Sequence, residues 1–429
     1  MEQTEPPKSR SKVEIEMELD RISNLPSDVI VKILSCLTLK EAVRTSVLSS
    51  RWRNRWAMLS GLIFDEKCFS TENCATFVNI VYHVLLSHIV PVEKFVLSHP
   101  HLIPTIDIDR WVLHLSRNSI KVFELRIPDG PQYEMPLRFF SYQDMIELKL
   151  SQCLLKPPTT FKGFRTLKMV RFQRVALAQD VLENLILCCP LLESLTIIKC
   201  IGFTHLKIDA PNLRFLSFSG RLEDVSLQNT LNLAVVRFNP WRIYHRQDHV
   251  SSSNLAKFFV DLPHIQRLTI DGAAVQYLAV GDLPGRLPKP CLHLNFLSLL
   301  LSFNVLAEIL TTIYLLRSSP ALKVLHVMVR LSLLQRLNRL HSVKEEAKSW
   351  LDNLDDDINC SFPKLQFVQI TEFSGSKAEL DFIKFLLVNS PALETMTIRA
   401  LSADGSSEVL KKLLQLRRTS SAEIIYLDP

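Results

Sequence analysis

The sequence predicts an α/β protein: an N-terminal module of three short helices, then an irregular solenoid with a mainly parallel inner sheet, and a C-terminal cap. Three observations carry this. Residues 20–56 hold apolar residues at helical spacing but too few for a self-sufficient core. From residue 92 to 398 one pattern recurs fourteen times: apolar, two variable, apolar, one variable, apolar. Six copies carry a proline two residues before the first anchor, where a preceding helix must stop.

The chain opens on a polar tract, MEQTEPPKSRSKVEIEMELD, read as a disordered tail over residues 1–19. The first helix follows Leu25-Pro26, and proline suits an opening turn because its missing N–H is not needed there. Ile30, Ile33, Leu34 and Leu37 recur at i, i+3, i+4 and i+7, one helix face. The second helix starts at Thr38 with Glu41 three residues on, the spacing of a reciprocal cap, and its face is Val43, Val47 and Leu48. A third is expected after Ser49-Ser50, stacking Trp52 over Trp56 at i, i+4. Arg21, Lys32, Lys40, Arg44, Arg51, Arg53 and Arg55 outnumber Asp20, Asp28 and Glu41, a surplus that suits an acidic partner.

The segment LPSDVIVKILSCLTLKEAVRTSVLSSRWRNRW resembles an F-box, in the form found in plant F-box proteins with leucine-rich repeats. That resemblance implies docking of a small acidic Skp-type adaptor, and through it a cullin–RING ubiquitin ligase. The adaptor-binding residues it implies are Leu25, Pro26, Ile30, Ile33, Leu34, Leu37, Val43, Val47, Leu48 and Trp52. The F-box is expected over residues 20–66.

Between 67 and 354 the repeat anchors set the architecture. Middle anchors such as Phe95, Phe123 and Leu148, or Leu268, Leu297 and Leu325, lie 25 to 29 residues apart, the period of a leucine-rich repeat with a helix on its convex side. From Leu195 through Leu206, Leu216 and Val225 to Val236 the steps shrink to 9 to 11 residues, too short for a helix, which predicts a thin, loop-clad back. The prolines are Pro190, Pro211, Pro263, Pro320, Pro363 and Pro391. A copy at Phe164, Leu167 and Met169 is included in this register. Residues 73–92 are uncharged, but Asn79, His83, Ser87, His88 and Pro91 interrupt them, so a buried helix is expected there and no membrane span.

An extra helix over about 331–354 and the acidic run at 355–357 mark a boundary. Beyond it, residues 355–429 resemble the FBD segment that closes many plant F-box/repeat proteins, and FTHLKIDAPNLRFLSFSG resembles that family's central repeats. The Trp and Cys that usually precede the FBD strand survive loosely as Trp350 and Cys360. The implied fold is an RNI-like solenoid whose last open edge the FBD shields.

Chemistry is sparse. Ten glycines form no phosphate loop, twelve histidines lie singly without metal-ligand spacing, and nine cysteines form no CxxC pair or regular framework. An odd cysteine count reads as reduced thiols inside the cell, in nucleus or cytoplasm. Net charge of +6 is scattered, so no nucleic-acid patch is expected. No cofactor, metal or catalytic residue is expected, and a ligase receptor needs none because it acts by proximity. A protein substrate is expected on the concave strand face, where variable residues alternate with anchors; Arg237, Arg267 and Phe296 are candidates there, with Ser194, Thr196, Phe215, Ser217, Thr269, His326, Gln369 and Arg399. The aromatic and cationic run with Trp241, Arg242, Tyr244 and Arg246 has the composition of an interface hot spot. The reading is a substrate receptor of a Skp–cullin–F-box ligase. Two others stay open: a scaffold that binds the adaptor without ubiquitin transfer, and a receptor for a hormone-like small molecule.

Overall fold

The computed structural model describes residues 22, 24–69, 73–128, 130–240, 242–243, 254–260, 262–279, 287, 289–330, 361–402 and 406–429. The expected tail, the helix over 331–354, the acidic run at 355–357, Trp350 and Cys360 lie outside them. The chain forms two compact units, 1–161 and 162–429.

In the first unit, helices α1 (Ser27–Leu34) and α2 (Leu39–Arg44) precede a four-stranded parallel sheet. Its strands are β1 (Gly61–Asp65), β2 (Lys94–Ser98), β3 (Val122–Arg126) and β4 (Glu147–Ser151). The register is in step throughout: Leu62 beside Phe95, Phe95 beside Phe123, Phe123 beside Leu148. Helices α3 (Cys74–Ser87) and α4 (Ile106–Leu115) join the first three strands. The uncharged stretch is thus a buried helix, with Phe77, Val81, Val84 and Leu85 inside; no helix among the described residues is long and apolar enough to cross a membrane. β1 lies within the segment expected as F-box, and Leu62 and Phe64 are fully buried in the sheet's core.

Among the described residues, the main sheet of the second unit holds ten parallel strands. They are β5 (Met169–Gln173), β6 (Ser194–Ile198), β7 (Phe215–Ser219), β8 (Val235–Phe238), β9 (Arg267–Ile270), β10 (Phe296–Leu301), β11 (Val324–Val329), β12 (Phe367–Phe373), β13 (Thr395–Ala400) and β14 (Glu423–Leu427). Sheet order follows chain order. Middle anchors line up across the ladder, Leu195 with Leu216, Val236, Leu268, Leu297, Leu325, Val368 and Met396, and all are buried. Helices α5 (Gln179–Leu187), α6 (Asn254–Phe259), α7 (Gly272–Leu278), α8 (Leu306–Arg317), α9 (Lys377–Asn389) and α10 (Ser406–Leu414) fill most crossovers.

The prolines do more than stop helices. Each sits second in a tight turn, where its fixed φ is favourable, and the first anchor's N–H closes that turn: Leu192 to Cys189, Leu213 to Ala210, Leu322 to Ser319, Leu365 to Phe362, Leu393 to Ser390. Asn212 and Asn232 add side-chain bonds to the carbonyls of Pro190 and Pro211 in the preceding turn, at 2.8 and 2.7 Å.

Three expectations are corrected. The copy at Phe164/Leu167/Met169 is out of register by three: the strand buries Val170 and Phe172, Leu167 is its first anchor, and Met169 is exposed. Phe164 misleads because it is also fully buried, in the turn before. The short steps between 195 and 236 are not successive strands of one sheet. His205–Asp209 and Asp224–Gln228 leave it and pair with each other, Leu206 beside Val225, so two crossovers carry a strand where others carry a helix. The back is therefore a β-ladder and not loop. Finally, the third helix of the N-terminal module is only a 3₁₀ turn, Arg55–Met58, entered through Asn54 in the left-handed region at φ 62°.

Candidate functional site

Two surfaces deserve comparison with the sequence candidates, one in each unit. At the N-terminus, Pro26 precedes α1 at the cap position, and its carbonyl accepts from the amides of Val29 and Ile30 at 3.1 Å. α2 carries the expected reciprocal cap. Thr38 N–H donates to Glu41 Oε2 at 2.9 Å, and Glu41 N–H donates to Thr38 Oγ1 at 3.3 Å. The Thr38 N–H bond and a second from the Thr38 hydroxyl to the same Oε2 at 2.8 Å, with Arg44 nearby, hold the Glu41 carboxyl below its usual range. Arg51 donates to Asn24 Oδ1 at 2.9 Å, tying the loop after α2 to the entry of α1.

The apolar residues of this module divide into two sets. Ile30, Leu34 and Trp52 are buried within the chain, at 1, 0 and 4% exposure, with Leu39, Ala42 and Trp56. They pack the module's own core, and in the chain alone they present almost no surface to a partner. Ile33 and Leu37 are exposed at 39% each, Val47 at 87% and Leu48 at 66%. Pro26 is exposed, while Leu25 and Val43 are half-buried. Val29, at 42%, completes the outer stripe and was not among the candidates. Its signal is legible: Val29, Ile33 and Leu37 recur at i, i+4 and i+8. Val47 and Leu48 stand outward because α2 ends at Arg44 and the chain continues as a 3₁₀ turn, Thr45–Val47. This set is an unpartnered apolar patch ringed by exposed Lys32, Arg44, Arg51 and Arg53.

The second surface is the open face of the ten-stranded sheet, the side its anchors turn away from. Arg237, Arg267 and Arg399 are exposed there, and Phe215, Phe296, His326 and Gln369 are half-exposed. The Arg267 guanidinium lies over the Phe296 ring, 4.0 Å from its centroid, and Arg237 lies 5.6 Å over Phe215. His326 meets Phe296 edge-on at 5.0 Å. Partial burial, with the Arg267 charge added, lowers the His326 pKa and favours the neutral ring. Thr196 is buried, at 9% exposure, and offers little to the face. Arg242 lies on a separate two-residue strand, Arg242–Ile243, paired with Arg221–Leu222. Trp241, Tyr244 and Arg246 lie outside the described residues.

A third place went unnoticed in the sequence. The open face of β1–β4 holds a cavity of about 300 Å³ in the first unit. Its walls alternate sign: Asp65, Glu124 and Glu147 against Lys94, Arg126 and Lys149. Arg126 bonds Glu124 at 3.1 Å, and Lys149 reaches both Glu124 and Glu147. No group of three or more His, Cys, Asp or Glu among the described residues is arranged to hold a metal. Buried thiols are inert: burial pushes Cys153, Cys200 and Cys291 up to about 12.

Comparison with known proteins gives matches to three family profiles. A family profile for the F-box domain matches residues 22–63, one for the LRR repeats of an FBD-associated F-box protein matches 108–327, and one for FBD matches 357–398. An Arabidopsis thaliana F-box/FBD/LRR-repeat protein is 37% identical over 95% of this chain and 99% of its own. An FBD-associated F-box protein and an F-box/LRR-repeat protein from the same plant are 27 and 26% identical, each over 94% of this chain, and over 93 and 73% of their own. F-box domains generally bind Skp-type adaptors.

Proposed function

Because the chain belongs to the F-box/FBD/leucine-rich-repeat family, we propose that it is the substrate-recognition subunit of a Skp–cullin–F-box ubiquitin ligase. The observation that carries this reading is the outer stripe of α1 with the turn after α2. Val29, Ile33, Leu37, Val47 and Leu48 leave the water only if another protein covers them. The surrounding Lys and Arg favour an acidic partner and speed its approach. The open face of the repeats is the substrate side, and it is rigid because every strand is pinned to its neighbours in one register.

The subunit is non-catalytic. It raises the effective concentration of a substrate lysine near the ligase machinery, and that requires only two binding surfaces on one chain. The domain organisation we infer is an F-box to about residue 60, repeats from β1 onward, and the FBD as the closing repeats. The test is purification of the tagged full-length chain from plant cells. Co-elution of a Skp-type adaptor together with a cullin supports the ligase reading. Adaptor without cullin, under conditions where a control F-box protein retains both, would indicate a scaffold instead.

A further inference from the structure

The open face of the second unit is not evenly charged, and the imbalance has a location. Outward positions of β5–β11 include Arg171, Arg237 and Arg267 and no carboxylate; Glu372, at the bulge in β12, and Glu423 enter only in the last three strands. The cavity face of β1–β4, by contrast, balances three acids against three bases, most of them paired.

Arg237 and Arg267 stand on adjacent strands, with Arg237 beside Thr269 and Arg267 beside Val235. They are therefore diagonal neighbours on one face. Neither forms a salt bridge among the described residues. Each guanidinium instead lies over an aromatic ring, Arg267 at 4.0 Å and Arg237 at 5.6 Å, and its N–H groups remain available to bond oxygen in a fork. Two forks without a salt-bridge partner, beside half-exposed rings, form a site for an anion attached to a chain that also offers apolar contact.

We propose that Arg237 and Arg267, with Phe215 and Phe296, bind an anionic side chain, carboxylate or phosphoryl, in an extended segment of the substrate protein. This rests on the receptor reading above and specifies its substrate chemistry. A nucleic acid fits less well. Stacked bases need open ring faces, and here a guanidinium already lies over one face of each ring. Arg237 and Arg267 also sit among uncharged neighbours, not in a continuous basic track.

The probes are four oriented libraries of nine-residue peptides with glutamate, phosphoserine, glutamine or lysine fixed at the centre, plus a uridine nonamer. Each is titrated against the full-length chain. At least one anionic library should bind tenfold or more above the glutamine library, and the better of the two identifies carboxylate or phosphoryl. Arg237→Gln/Arg267→Gln should remove that preference with no change in Tm, because both side chains are exposed. Lys94→Gln/Arg126→Gln, which removes equal charge from the balanced cavity, should preserve it. Equal binding of all libraries, no binding by any, equal loss in both double variants, or tighter binding of the nonamer would each overturn the proposal. Adaptor capture is read in the same samples. Retained adaptor without anionic preference removes this inference alone, while anionic preference without adaptor removes the ligase reading alone.

Discussion

Single residues in this fold hold positions that their neighbours dictate. Gly202 sits at φ 100°, and a Cβ there would lie 2.4 Å from the Leu177 carbonyl oxygen. Gly202→Ala should cost about 2 kcal/mol or more, visible as a fall in Tm, because left-handed backbone and a steric clash add. Asp271 caps α7 through a 3.0 Å bond from the Ala274 amide, yet burial raises its pKa to about 6. An unfolded aspartate titrates near 3.9, so the folded state holds this proton more tightly. Stability from this group is therefore present below pH 4 and lost as pH rises toward 6. Asp271→Asn keeps the cap acceptor and cannot ionise. Its stability advantage over the parent, read by thermal unfolding, should grow between pH 4 and 6 by about 1 kcal/mol after solvent screening, then level off. An advantage independent of pH would show that ionisation of Asp271 carries no cost.

Elements are where the sequence was most and least informative. Strand anchors were legible because the repeats share one problem, a buried face with a turn before it, and in six of them Pro sets that turn. Leu195→Asp and Leu325→Asp, both at fully buried positions, should each cost several kcal/mol by burying an unpaired charge. Leu206→Asp should cost as much, although Leu206 lies in the back ladder. That equivalence is why the middle steps were misread. A back strand buries alternate residues just as a front strand does, so pattern alone cannot assign it to a side. The three-residue slip near Met169 has the same origin, since Phe164 in the turn is as buried as any anchor. Helix α1 shows the limit at the site. Its apolar residues cover more than one face, and periodicity does not say that Ile30 and Leu34 turn inward while Ile33 and Leu37 turn out. The loop-closing acids left no sequence signal. Glu308 and Glu379 are buried on helices α8 and α9, and each accepts an amide from the segment after the preceding strand, Ser302 and Ser374 at 2.9 Å.

At the scale of the molecule, the N-terminal module does not end where its helices do. β1 follows within three residues of the 3₁₀ turn and pairs along its whole length with β2. A chain starting at Lys67 would strip that strand and bare the β2 edge, whereas one starting at Leu59 retains it. The shorter form should aggregate and the longer one stay soluble, by light scattering. In the proposed division of labour, outward apolar residues of the module touch the adaptor and inward ones hold its fold. The affinity of a Skp-type adaptor for the parent, Val47→Asp/Leu48→Asp and Ile30→Ala, each with its Tm, checks this division. At least a hundredfold weaker binding at unchanged Tm is expected for the double variant. Ile30→Ala should show a lowered Tm and, below that temperature, near-parental binding. Undiminished adaptor affinity in Val47→Asp/Leu48→Asp would contradict this division.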